Sequence, residues 1–232
     1  MKRLITVLSL LSLIVLTPAL SHAQLGLKGG VNLSEFIGPD AENARNVMGL
    51  QAGISLQLIK IGPLSIVPEI FYAEKGTRLV DQFRELQNMD PEQPIDPEEV
   101  DLEFNLAYVE VPVLAKLELW FLSTEVVHPY IAGGPVYGFR MDCSFTLTDS
   151  QGLEQQIDSC SDENFSDLDA TFRESDRGYV LGTGIDFQIP YLGVVTLDGR
   201  YYRGLSRLRE GGENSDVYNR SFTLMLGYSL GF

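Results

Sequence analysis

Histidine, cysteine and basic residues are what this sequence has least of. Its 232 residues include 2 His and 2 Cys, and 17 Lys and Arg stand against 32 Asp and Glu, for a formal net charge of -15. A His/Cys metal centre has no cluster to be built from. Nucleic-acid binding is disfavoured in the same way, since phosphate recognition needs clustered Lys and Arg and here they are scattered singly. Long apolar runs are lacking too. After Ala23, Lys60, Gly62 and Pro63 break one candidate and Glu110, Lys116 and Glu118 another, so none reaches the roughly 20 residues a membrane helix needs. The chain beyond Ala23 is therefore soluble or crosses a membrane as strands.

The first 23 residues read differently from the rest. Lys2 and Arg3 precede an apolar run from Leu4 to Leu16, and Ser21-His22-Ala23 offers small residues where a signal peptidase cuts. We expect residues 1–23 to be a cleaved signal peptide and residues 24–232 to form one domain starting at Gln24. No Cys follows the cut, which excludes a lipoprotein. In an exported chain, Cys143 and Cys160 are expected to form a disulfide.

From Leu25 onward the chain alternates apolar and polar residues in segments of about ten. Leu25, Leu27, Val31 and Leu33 lead, followed by Met48 to Leu58 on even positions, and Phe222 to Phe232 alternates to the end. Further segments start near Leu64, Asp101, Val126, Arg177 and Val194. Eight such strands close into an antiparallel up-and-down barrel. A secreted lipocalin-like barrel would alternate too, but the polar face is rich in Gly, Ser, Asn and Gln, which suits a narrow interior. The long apolar rows would be a large exposed patch in water; lipid is the solvent they fit. The expected fold is all-β, an eight-stranded transmembrane barrel in the outer membrane.

Connections support this reading. Short ones (60–63, 122–127, 190–193) alternate with long ones (35–46, 79–100, 141–176, 204–216), as in barrels with short periplasmic turns and long external loops. The acidity sits in the long ones: 79–100 is net -6, 141–176 net -9 and 35–46 net -2. Such loops are solvated, self-repelling surfaces that could take a divalent cation. Asp158, Cys160 and Asp162 begin with the spacing of a calcium loop, but no Gly or closing Glu follows in register.

Four segments, in order, carry a family likeness: Pro68-Glu69-Ile70-Phe71-Tyr72 leading to Lys75-Gly76; Tyr108-Val109-Glu110-Val111-Pro112-Val113-Leu114 leading to Lys116; Pro129-Tyr130-Ile131 leading to Gly134-Pro135; and Arg200-Tyr201-Tyr202 leading to Gly204-Leu205. With the alternating last strand, the chain resembles the PorT-like outer-membrane β-barrel family. That resemblance implies an exported barrel, with an accessory role in protein secretion as one reading. The acidic loops and the cysteine pair lie outside the shared pattern.

Two irregularities are expected. Pro68, Pro112 and Pro135 fall inside strands and each removes a ladder donor, which calls for bulges or irregular pairing. The apolar phase also flips at Tyr108-Val109, from even positions to odd, which a bulge there would absorb; alternatively, Asp101 to Ala107 stands above the membrane. Aromatics are expected in two interfacial girdles, Trp120, Phe121, Tyr130, Phe187 and Tyr191 at one end and Phe36, Tyr72, Phe104, Phe139 and Phe222 at the other.

The alternation points Lys28, Glu69, Glu110, Lys116, Glu118, Asp186, Asp198 and Arg200 inward. Charges in so narrow a space must pair. A salt-bridged plug is the first reading and a polar conduit the second. Catalysis is not expected, because His128 abuts a short turn, away from the outer loops, and no phosphate loop is present. No cofactor is expected. The expected partners are outer-membrane lipid and a protein or glycan at the external loops, around a monomeric barrel. Three functions are open: a surface interaction protein, a small porin or transport component, and a secretion accessory.

Overall fold

The structure is a computed structural model, describing residues 24–39, 41, 44–79, 101–148, 154–157, 173–208 and 216–231. Eight long strands form the wall: β1 (Gln24–Ile37), β2 (Val47–Gln57), β3 (Leu64–Leu79), β4 (Asp101–Glu118), β5 (Val127–Thr148), β6 (Ser175–Ile189), β7 (Gly193–Gly204) and β8 (Tyr218–Gly231). Each is antiparallel to its sequence neighbours, and β1 pairs β8 from Gln24↔Gly231 to Ile37↔Tyr218, so the sheet closes on itself. Closure gives every long strand a partner on both sides. Short pieces, Ala44–Arg45, Ile59–Ile61 and Glu154–Ile157, extend individual hairpins.

The three short turns lie together at one end. Gly62 (φ 59°) turns the first, a 3-10 turn at Trp120–Leu122 makes the second, and Tyr191 (φ 67°) and Gly193 (φ 122°) shape the third. Sharp curvature needs small inward residues. A Cβ on Gly30 would sit 1.9 Å from the Leu224 carbonyl oxygen, so only glycine lets β1 and β8 meet at that angle.

Prolines interrupt the ladders as expected. The β2–β3 ladder runs from Gln51↔Ala73 to Ser55↔Glu69 and resumes one residue out of step at Ile59↔Ile66, astride Pro68. The β4–β5 ladder skips from Pro112↔Val136 to Ala115↔Gly133 without changing register. Beyond Ala73, β3 leaves β2. Its backbone is satisfied by inward side chains of β1 instead, the Asn32 amide donating to the Glu74 carbonyl at 2.8 Å and the Gly76 N–H donating to Ser34 Oγ at 2.7 Å.

The phase flip in β4 has a different origin from the expected bulge at Tyr108-Val109. Even positions of β4 from Phe104 onward face inward, with Leu106, Tyr108, Glu110, Pro112 and Leu114 all buried. The one-residue shift lies on β5 instead: Ala107 pairs with Asp142 and Tyr108 with Arg140, leaving Met141 as the extra residue. What flips is the solvent. Up to Tyr72 and Val109 the wall is apolar outside and polar inside. Beyond, Phe36, Leu106, Tyr108, Cys143, Leu208 and Val217 cluster inside, while the outward Glu74, Glu103, Asn105 and Asp142 line a crevice of about 400 Å³ that also reaches the inward Ser34 and Lys75. Apolar groups face lipid below and the core above, which is the behaviour of a barrel that outgrows its membrane.

The aromatic girdles need the same correction. Trp120, Phe121 and Tyr191 are exposed at the short-turn end, and Tyr72, Phe139 and Phe222 face outward at the other. Tyr130 and Phe36, however, are buried in the barrel, and Phe104 packs with Phe36 at 6.4 Å between ring centroids. Their positions share the inward parity of their strands.

Candidate functional site

The interior is packed with charge in tiers, each built by strand alternation. At mid-height, Glu69 from β3, Lys28 from β1 and the i, i+2 pair Asp198 and Arg200 from β7 converge. Lys28 Nζ donates to Glu69 and to Asp198, at 2.9 Å each. The Arg200 guanidinium spans the same two carboxylates, reaching Glu69 at 2.5 and 3.0 Å and Asp198 at 2.6 and 3.0 Å. Two acids and two bases form a closed, neutral box in which Glu69, Asp198 and Arg200 are all buried. Bidentate geometry of this kind is what allows ion pairs to survive desolvation.

Towards the short turns, Lys116 pairs with Asp186 at 2.5 Å, Thr196 donates to the other Asp186 oxygen at 2.7 Å, and the Lys116 ammonium lies 3.9 Å from the Tyr130 ring centroid. Glu118, near the mouth, accepts from Lys60 at 3.2 Å and from His128 Nδ1 at 2.9 Å. A carboxylate is acceptor-only here, so Nδ1 carries the proton. Towards the long loops, Glu110 pairs with Lys75, whose ammonium sits 3.3 Å from the Tyr202 ring centroid. Tyr202 and Asn219 both donate to Asp176 at 2.8 Å. The apolar cluster around Leu106 and Tyr108 closes the top.

Of the eight charges read from sequence, the structure joins Lys28, Glu69, Asp198 and Arg200 in one box and Lys116 with Asp186 in another. Glu110 and Glu118 pair outside that set, with Lys75, and with Lys60 and His128. Sequence reasoning missed Lys75 and Asp176 although the signal was there: Lys75 shares parity with Glu69 on β3, and Asp176 with Asp186 on β6. Cys143 belongs to the apolar cluster. Cys160, Asp158, Asp162 and most of the acidic loops lie outside the described residues.

Little space remains between the tiers. Cavities of about 40 Å³ beside the four-charge box and 20 Å³ above it each hold a few waters at most. A third, of about 70 Å³, opens at the mouth between Glu118, His128 and Lys116. What this arrangement does chemically is hold eight strands together from within.

A family model described as outer membrane protein beta-barrel domain matches residues 17–210. No curated protein matches the sequence. Among solved structures, the chain is similar to Ail, the attachment invasion locus protein of Yersinia pestis, in complex with the heparin analogue sucrose octasulfate (13% identity, 90% of this chain and 99% of that one, TM-score 0.41). It is also similar to Neisserial surface protein A (12%, 90% and 97%, 0.44) and to the outer membrane protein OprG from Pseudomonas aeruginosa (9%, 90% and 96%, 0.43).

Proposed function

The chain belongs to the outer membrane protein beta-barrel domain family, and from that membership we propose that it is a non-enzymatic scaffold whose long acidic loops bind a partner or ligand outside the cell. Its place is the outer membrane. The observation that carries the proposal is the interior: a neutral box of Lys28, Glu69, Asp198 and Arg200, with further pairs above and below, fills the barrel, so a partner or ligand is met from outside rather than through a lumen. Residues 1–23 are the removed signal peptide in this reading, on the strength of Lys2 and Arg3, the apolar run from Leu4 to Leu16 and the small residues of Ser21-His22-Ala23. His128, held by Glu118 at the short-turn mouth, is placed to organise that rim rather than to activate a nucleophile among the loops.

Within the family, the segments around Pro68, Tyr108, Pro129 and Arg200 favour the PorT-like branch, and with it a role as accessory to a secretion machinery. Cross-linking in intact cells with a membrane-impermeant reagent, followed by identification of the captured proteins, tests the loop-binding reading. Capture that disappears when residues 81–99 or 149–172 are shortened is expected, and a recurrent set of secretion components would specify the PorT-like role. Reproducible ion-selective steps in planar bilayers, altered in selectivity by Glu110→Gln at unchanged stability, would overturn the plug and make the protein a small porin.

A further inference from the structure

The basic residues that the sequence scatters singly are brought together by the wall. Across β6, β7, β8 and β1, Tyr179 pairs with Arg203, Arg203 with Arg220 and Arg220 with Glu35, so the four stand in one row on the outward face. The row beneath is Leu181, Tyr201, Phe222 and Leu33, apolar and lipid-facing, with the Tyr201 and Phe222 rings 5.0 Å apart. Arg177 is exposed two residues above Tyr179 on the same strand face.

This row carries excess positive charge. Arg220 is neutralised by Glu35. Arg203 lies 5.9 Å from the Tyr218 ring centroid, and neither it nor Arg177 meets a carboxylate among the described residues. On β3, β4 and β5 the wall above the apolar belt has the opposite sign, with Glu74, Glu103 and Asp142 against Arg78. In a chain of net charge -15, two guanidinium groups with no carboxylate partner among the described residues stand at the upper margin of the lipid-facing belt, where outer-leaflet headgroups lie.

We propose that Arg177 and Arg203, beside the Glu35-paired Arg220, form a binding surface for the phosphate of an anionic lipid headgroup in the outer leaflet, with its acyl chains along Leu181, Tyr201 and Phe222. A guanidinium fork matches phosphate oxygens two at a time, and the aromatic row supplies the apolar seat directly below. Ammonium headgroups are repelled from this side of the barrel. Arg177 and Arg203 are strand residues, on β6 and β7, and are not among the loop residues 81–99 and 149–172 assigned to partner binding.

The test is native mass spectrometry of the leaderless chain, refolded in neutral detergent and offered equimolar phosphatidic acid and phosphatidylcholine of matched chain length. Phosphatidic acid adducts should dominate, and the double variant Arg177→Gln/Arg203→Gln should lower their affinity roughly thirty-fold, given the attraction of basic side chains to anionic surfaces. Arg78→Gln, on the acidic side, should change nothing. Heat-modifiable gel mobility checks that each variant is folded. Equal binding of the two lipids, or a preference that survives the double variant, overturns the proposal. So does full displacement by millimolar inorganic phosphate, which would assign the surface to a soluble phosphate compound.

Discussion

Arg200 shows how much one side chain can hold in a narrow barrel. It makes four of the hydrogen bonds in the central box, and its removal leaves Glu69 and Asp198 buried with Lys28 alone between them. Leaving a buried charge unpaired costs about 3–5 kcal/mol, whereas exposed ion pairs contribute about 0–1 kcal/mol. Arg200→Ala should therefore lower unfolding stability in urea far more than Arg207→Ala, which breaks an ion pair to Asp216 that is largely exposed. Comparable losses for the two variants would mean that the box is wet. At the cysteines, we expect a Cys143–Cys160 disulfide, worth about 3 kcal/mol in the chain-entropy view. Mass spectrometry of the unreduced protein checks it; free thiols would remove it. Because Cys143 sits in the apolar cluster under the loops, reduction should loosen that end before the belt.

At the scale of elements, alternation made all eight strands legible, because parity survives along each strand without knowledge of its neighbours. It failed where neighbours decide. The sequence cannot say which strand of a pair carries an extra residue, so the irregularity assigned to Tyr108 on β4 belongs to Met141 on β5. Nor can parity say which base meets which acid, since Lys28 and Glu69 are 41 residues apart and Glu69 and Arg200 are 131 apart. Tyr130 and Phe36 were misread because aromatic type was trusted over parity. The inside-out arrangement of upper β4 can be tested directly. Leu106→Ala should destabilise by about 2–5 kcal/mol, as buried truncations do, while Ala107→Ser on the outward, solvated face should be close to neutral by the same urea titration. Similar effects at both positions would contradict the orientation assigned to the strand.

For the whole molecule, the change from apolar-outside to apolar-inside has a consequence for where the protein can stand. The lower wall is soluble only in hydrocarbon and the upper wall only in water, so the barrel cannot slide along its own axis, and its apolar belt must match the bilayer it enters. Barrels of this class carry belts about 25 Å tall, and the membrane they inhabit is thinner than average. Refolding yield into vesicles should accordingly peak with short acyl chains and fall as the chains lengthen, because a thicker bilayer would draw Glu74, Arg203 and Arg220 into hydrocarbon. Hydrophobic mismatch, rather than any receptor, would then keep this protein out of thicker membranes.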